Sequence, residues 1–196
     1  MEMVPVSDFY PVLRHMTDVP LNADMDVALI RSASEFCRDS QVIVHTRGLD
    51  WVRAGTTLNL IESSGLNHRT LGDIKSAGLI SVSADGQPLM AERDYEVLSL
   101  DQIYALQPWK RVHLVIAVEP ALTTHFFPAA LWEDWQEAIC HGAASRLYAV
   151  PGALHLERVR FHEQAFTEGK RRARRWRLEN HPSLSLPPVR HQREFY

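Results

Sequence analysis

Between residues 22 and 38 the apolar positions recur at helical spacing. Met25, Ala28, Leu29, Ala33, Phe36 and Cys37, with the small Ser32, fall on one face, while Glu35 and Arg38 fall near the exposed side. That 3.6-residue pattern predicts an amphipathic helix, with Asp24 placed as its N-cap. Upstream, Pro5, Pro11 and Pro20 interrupt the chain, although residues 8–16 allow a short helix with Pro11 in its first turn.

From Gln41 the period changes. The stretch 41–46 (Gln-Val-Ile-Val-His-Thr) is β-branched and partly alternating, and 56–61 alternates more weakly. Residues 79–83 and 87–90 flank Asp85-Gly86, a dipeptide that supplies the positive φ angles of a tight hairpin turn. Val112, Leu114, Ile116 and Val118 line one side of the clearest strand, 111–118. Short, turn-rich spacing favours antiparallel pairing, and no strand–glycine-loop–helix unit occurs.

Helical spacing returns after Pro128, which sits where first-turn prolines sit. Leu131, Trp135, Ala138, Ile139, Gly142, Ala143, Arg146 and Leu147 form a stripe that Val150-Pro151-Gly152 ends. Val159, His162, Phe166, Gly169, Ala173 and Trp176 then step by three and four residues, which predicts an antiparallel helical hairpin. Pro182, Pro187 and Pro188 forbid continuation, yet Leu184, Leu186, Val189, Phe195 and Tyr196 make the tail unusually apolar. The expected fold is α+β and mainly α-helical. It has one domain over 1–177, with helices at about 22–40, 128–150 and 153–177, and an antiparallel β insertion at about 41–120. An extended arm follows over 178–196.

Composition narrows the class. A chain of 196 residues with 45% hydrophobic and 23% charged residues is long enough for one globular domain. Its longest apolar run, 114–118, is far short of the ~20 residues that span a bilayer, and no basic start leads into an apolar block. Neither a membrane partner nor a secretory signal is expected. Cys37 and Cys140 sit in apolar helical contexts and are expected to be reduced, buried thiols.

Charge is distributed unevenly. Lys170, Arg171, Arg172, Arg174, Arg175 and Arg177 place six positive charges in eight residues, and the tail beyond them cancels. With a whole-chain charge of −3, the first 169 residues carry −9. Three readings of the basic run stand: a DNA-facing surface, a salt-bridged seam with the acidic body of a neighbouring copy, or a solvated helix end favoured by the helix dipole.

The sequence carries no motif that marks a site of chemistry. There is no His-Glu-x-x-His, no Cys-x-x-Cys, no nucleophile elbow and no phosphate-binding glycine loop. His155 and His162 share a helix face without a third ligand at useful spacing, and Cys140 and His141 point about 100° apart on a helix. Glu133 and Glu137 form an exposed i, i+4 pair, and Glu92 lies in a charged turn. No catalytic, cofactor or metal site is expected, and the protein is not expected to be an enzyme.

Two stretches carry a resemblance. Phe9-Tyr10-Pro11-Val12-Leu13, the pause at Pro20-Leu21, and the run from Asp26 to Arg38 ending Glu35-Phe36-Cys37-Arg38 are similar to the opening of head–tail adaptor (neck or connector) proteins of tailed bacteriophages. The run from Ala143 to Gly152, followed by Phe161-His162-Glu163-Gln164-Ala165-Phe166-Thr167-Glu168-Gly169, resembles that family's closing hairpin. The chain departs from commoner members in lacking a Trp-containing segment after Pro151-Gly152, and in its arginine-rich second helix. The resemblance implies a virion structural protein located in the neck and assembled in the host cytoplasm. Its partners would be its own copies in a twelve-membered ring, the portal protein, tail or nozzle proteins, and non-specific double-stranded DNA in the channel. On this expectation Leu184, Leu186, Val189, Phe195 and Tyr196 dock on the portal or an adjacent copy, and Lys170 to Arg177 contact DNA or a subunit seam. The alternative is a nucleic-acid-binding regulatory protein using the basic helix.

Overall fold

A computed structural model describes residues 1–18, 21–62, 70–149 and 155–180. The chain opens with strand β1 (Met3–Pro5), a 3-10 turn (Val6–Phe9) and helix α1 (Tyr10–Met16). Pro11 lies in the first turn of α1, where its missing N–H leaves no hydrogen bond unmade. Helix α2 (Asn22–Ser40) starts earlier than Asp24 and has no side-chain cap. It ends at Gln41, whose φ of 54° turns the chain out of the helix while its N–H donates to the Cys37 carbonyl.

The middle of the chain is a series of strands: β2 (Val44–Val52), β3 (Thr57–Asn59), β4 (Thr70–Leu71), β5 (Ile74–Ala84), β6 (Gln87–Pro88), β7 (Tyr95–Val97), β8 (Gln102–Ala105), β9 (Trp109–Pro120) and β10 (Phe126–Pro128). Asp85 and Gly86 both take positive φ (50° and 79°) and turn β5 into β6. Strand β9 is the centre of the larger sheet, whose order is β2-β9-β5-β4, with β6 pairing β5. A second sheet has the order β3-β8-β7, and β1 pairs β10. Every pairing between these strands is antiparallel. The register of β5 against β9 slips at Ser76/Gly78 and Leu79/Ser81; Gly78, with φ of 140°, supplies the backbone freedom at the first slip.

Helices α3 (Ala129–Glu133), α4 (Gln136–Tyr148) and α5 (Leu156–Asn180) complete the described chain. The single helix expected over 128–150 is broken at Asp134-Trp135, where the Trp135 ring packs between Phe36 (5.7 Å) and Trp176 (6.5 Å). Helix α5 continues three residues past Arg177. The rest of the expected arm, from 181 on, lies outside the described residues.

The expectation of a mainly α-helical protein with a β insertion is corrected. Helices make up 44% and strands 32% of the structure, with three antiparallel sheets. The strands supply about a third of the buried side chains of one shared core and are no appendage to it. Val112, Leu114, Ile116 and Val118 of β9 are at most 1% exposed and join Leu29, Ala33 and Phe36 of α2 in a single apolar cluster. Short strands such as β7 and β8 carry too few residues for alternation to register in sequence, which is why the β content was underestimated.

Burial of each large side chain contributes about 1.5–3 kcal/mol. A polar staple joins the same two layers. Glu119 on β9, with its side chain 1% exposed, accepts hydrogen bonds from Arg38 of α2 (2.6 and 2.9 Å) and pairs with Lys75 of β5 (2.9 Å).

Candidate functional site

Helices α4 and α5 pack antiparallel because small residues let their backbones approach. A Cβ built on Gly142 would lie 2.8 Å from the Phe166 ring, and one on Gly169 would lie 2.5 Å from the Ala138 Cβ. Both glycines noted in the sequence are therefore used inside the fold. His162, Phe166, Gly169, Ala173 and Arg177 form the buried stripe of α5.

The basic run divides three ways on this helix. Lys170 turns toward α2, where its ammonium meets Asp39 (2.6 Å) and Glu35 (2.7 Å) and stands 4.8 Å from the centre of the Phe166 ring. Burial pulls the Lys170 ammonium down, but the bonds to Asp39 and Glu35 outweigh it and hold the group above its ordinary value. Glu35 also accepts from Arg146 of α4, and Arg174 donates to the Gln41 side chain. Arg177 is only 2% exposed, on the packed stripe one turn beyond Ala173, where burial and the neighbouring Arg174 charge lower its pKa. The sequence grouped Arg177 with a charged surface, since a basic run gives no sign of which member faces inward.

Arg171, Arg172 and Arg175 are exposed on the outside of α5. Arg171 reaches Glu168 of its own helix at 3.7 Å, and among the described residues Arg172 and Arg175 make no ion pair. Lys170, Arg171, Arg174 and Arg175 line an open groove with Asp39, Thr167 and Leu178. Of the residues expected to meet a partner, this face is what the structure brings together. Leu184, Leu186, Val189, Phe195 and Tyr196 lie outside the described residues.

A polar cluster on the same hairpin escaped the sequence. The Nδ1 atoms of His141 and His162 are 2.8 Å apart, so one ring donates and the other accepts. His162 stacks on Tyr148, whose hydroxyl donates to the Met16 carbonyl (2.9 Å) and accepts from Arg158 (2.7 Å). Burial, acting most strongly, lowers both imidazole pKa values; the Glu137 charge opposes it at His141, while His141 and Arg158 reinforce it at His162. The pairing joins residues 21 apart across the hairpin, so only the helical register would have disclosed it.

Both thiols are buried and free. Burial pushes Cys37 above its ordinary range, aided by the Glu119 charge, and takes Cys140 up to about 12, with Glu137 contributing. Among the described residues no group of three His, Cys, Asp or Glu side chains is placed to hold a metal ion, and no helix is long and apolar enough to cross a membrane. No family model matches the chain, and no curated protein matches it.

Proposed function

We propose that this chain is a virion structural protein, a head-to-tail adaptor that assembles as a ring below the portal, extends the DNA channel and docks the tail. The observation that carries this reading is the outer face of α5. The helix has 25 residues, about 37 Å at 1.5 Å per residue. Its inner sides are taken up by α4 and α2, while Arg171, Arg172 and Arg175 face outward. A charged face on a helix so firmly braced is suited to a macromolecular partner rather than to a small substrate.

Two further features support it. The stretches that carry the resemblance to phage adaptors fall mainly on α1 and α2 at one end of the chain and on α4 and α5 at the other, with the strands between them. The hairpin is locked by glycine contacts and by the Glu35–Lys170–Asp39 network, which gives a ring subunit a rigid wall. In this proposal Leu184, Leu186, Val189, Phe195 and Tyr196 dock on the portal or on an adjacent copy.

Co-sedimentation with the portal tests the reading. The full chain should travel with portal particles, and a chain lacking 183–196 should stay behind while keeping the circular dichroism of the folded protein. Unchanged co-sedimentation of the truncated chain would remove the arm from the account; no complex with the full chain would remove the adaptor.

The same three arginines favour a second reading, a nucleic-acid-binding regulatory protein. It requires the single chain to bind duplex DNA with an affinity that falls steeply with salt.

A further inference from the structure

The outward arginines have a matching surface on the opposite edge of the helical layer. On α4, Cys140 and Gln136 face the N-terminal segment: the Cys140 thiol lies 3.7 Å from the Phe9 carbonyl, and the Gln136 amide donates to the Asp8 carbonyl at 3.3 Å. Gly142 and Ala138 face α5. Cys140 and Gly142 are two residues apart, about 200° around the helix, so the N-terminal segment and α5 flank α4 on nearly opposite sides.

The two edges are also level along the helix axis. The Trp135–Trp176 contact sets the arginine-bearing part of α5 beside the start of α4, where Gln136 holds Asp8. The first strand brings Glu2 to the same end, since the Ala129 N–H donates to the Glu2 carbonyl at 2.9 Å. Glu133 and Asp134 close α3 there. Glu2, Asp8, Glu133 and Asp134 are all exposed, and among the described residues none of them makes an ion pair. Glu2 and Asp8 thus put exposed acidic groups on the edge away from α5, with Glu133 and Asp134 at the same end of α4, level with the arginines and free of ion pairs among the described residues.

We infer that a second copy of this chain is the partner of the α5 face, docking head to tail so that Arg171, Arg172 and Arg175 of one copy meet Glu2, Asp8, Glu133 and Asp134 of the next. This rests on the ring reading above and names the surfaces that form its seam. Contact between two different faces is heterologous, and it repeats from copy to copy until the rotation closes a ring. An isologous dimer would set arginines against arginines.

Charge reversal tests the seam. Sedimentation velocity of the full chain over a concentration series should give a half-assembly concentration that rises with salt. It should rise about tenfold or more in Arg171→Glu/Arg175→Glu and in Asp8→Lys/Asp134→Lys, since close interfacial charge pairs couple by several-fold to many-fold in affinity. Mixing the two variants should restore one heterologous contact per pair, giving a dimer that neither variant forms alone. All four positions are exposed, and circular dichroism checks that each variant folds. Assembly indifferent to both reversals would overturn the seam and leave the ring reading standing. A wild-type chain that does not self-associate, with or without the portal, would overturn both. Loss of duplex-DNA binding in the arginine variant, with assembly unchanged, would assign the face to nucleic acid instead.

Discussion

Arg38 of α2 grips Glu119 of β9 with two hydrogen bonds, 2.6 and 2.9 Å long, at a carboxylate that is 1% exposed. The contact ties the helical layer to the central strand of the larger sheet, and Lys75 completes it from β5. Removing both cations strands a buried charge, whereas removing the carboxylate frees two side chains that can reach water. Arg38→Ala/Lys75→Ala should therefore cost about 3–5 kcal/mol, and Glu119→Gln about 1–3 kcal/mol, in urea unfolding. Equal costs would contradict this account of the staple.

The Gly169–Ala138 contact makes a signed prediction. An exposed helical Gly→Ala change gains up to about 1 kcal/mol of helix propensity. Here the new methyl would sit 2.5 Å from the Ala138 Cβ, and overpacking of this kind costs about 1–3 kcal/mol. Gly169→Ala should be destabilising, and Gly169→Ala/Ala138→Gly should recover most of the loss. A stabilised single variant in thermal unfolding would mean that α4 and α5 are not in this contact.

The His141–His162 pair predicts acid sensitivity. Both pKa values are lowered in the fold, so near and below the unfolded histidine value of about 6.5 the unfolded chain binds protons that the folded chain resists. Stability then falls as pH falls through that value. Among the described residues, the groups facing the pair are Glu137, Tyr148, His155 and Arg158; of these Glu137 is the one carboxylate, 3.9 Å from the His141 ring and largely in solvent. His162→Gln should flatten the loss of stability between neutral and mildly acidic pH in denaturant titrations. Parallel curves for the variant and the wild type would refute it.

The two thiols should be silent. With Cys37 and Cys140 buried and their pKa values raised, thiolate is scarce and access is blocked. A thiol reagent at mildly alkaline pH should label neither in the native protein and both after denaturation. Rapid native labelling would place at least one of them at the surface.

Much of the helical framework was legible because long periodic stripes average out local noise. The face from Met25 to Cys37 and the stepping from His162 to Ala173 both survive in the structure, whereas Trp176 is 44% exposed and Arg177 takes the next buried place. Strand β9 was legible for the same reason, with four alternating apolar residues. Strands β1, β7, β8 and β10 were not, because three or four residues set by distant partners leave no period to read. Trp135 misled, since a residue on the helical stripe serves instead as the break between α3 and α4. At the candidate site, the basic run gave its sign but not its division. Which of six cations faces α2, the core or solvent depends on where Glu35, Asp39 and Gln41 lie, some 130 residues earlier. The acidic groups near the start of α4 escaped for a related reason: Glu2 and Asp8 reach the end of the fold that holds Glu133 and Asp134 only when β1 pairs β10 and Gln136 meets the Asp8 carbonyl.

The central claim is that many copies of this chain close into a ring that joins a portal to a tail. Single-particle electron microscopy of the full chain mixed with portal and tail proteins tests it most directly. The account predicts a closed ring at the narrow end of the portal, with α5 of each copy against the N-terminal edge of the next. Bare portals, with the chain left as single copies in the background, would contradict it.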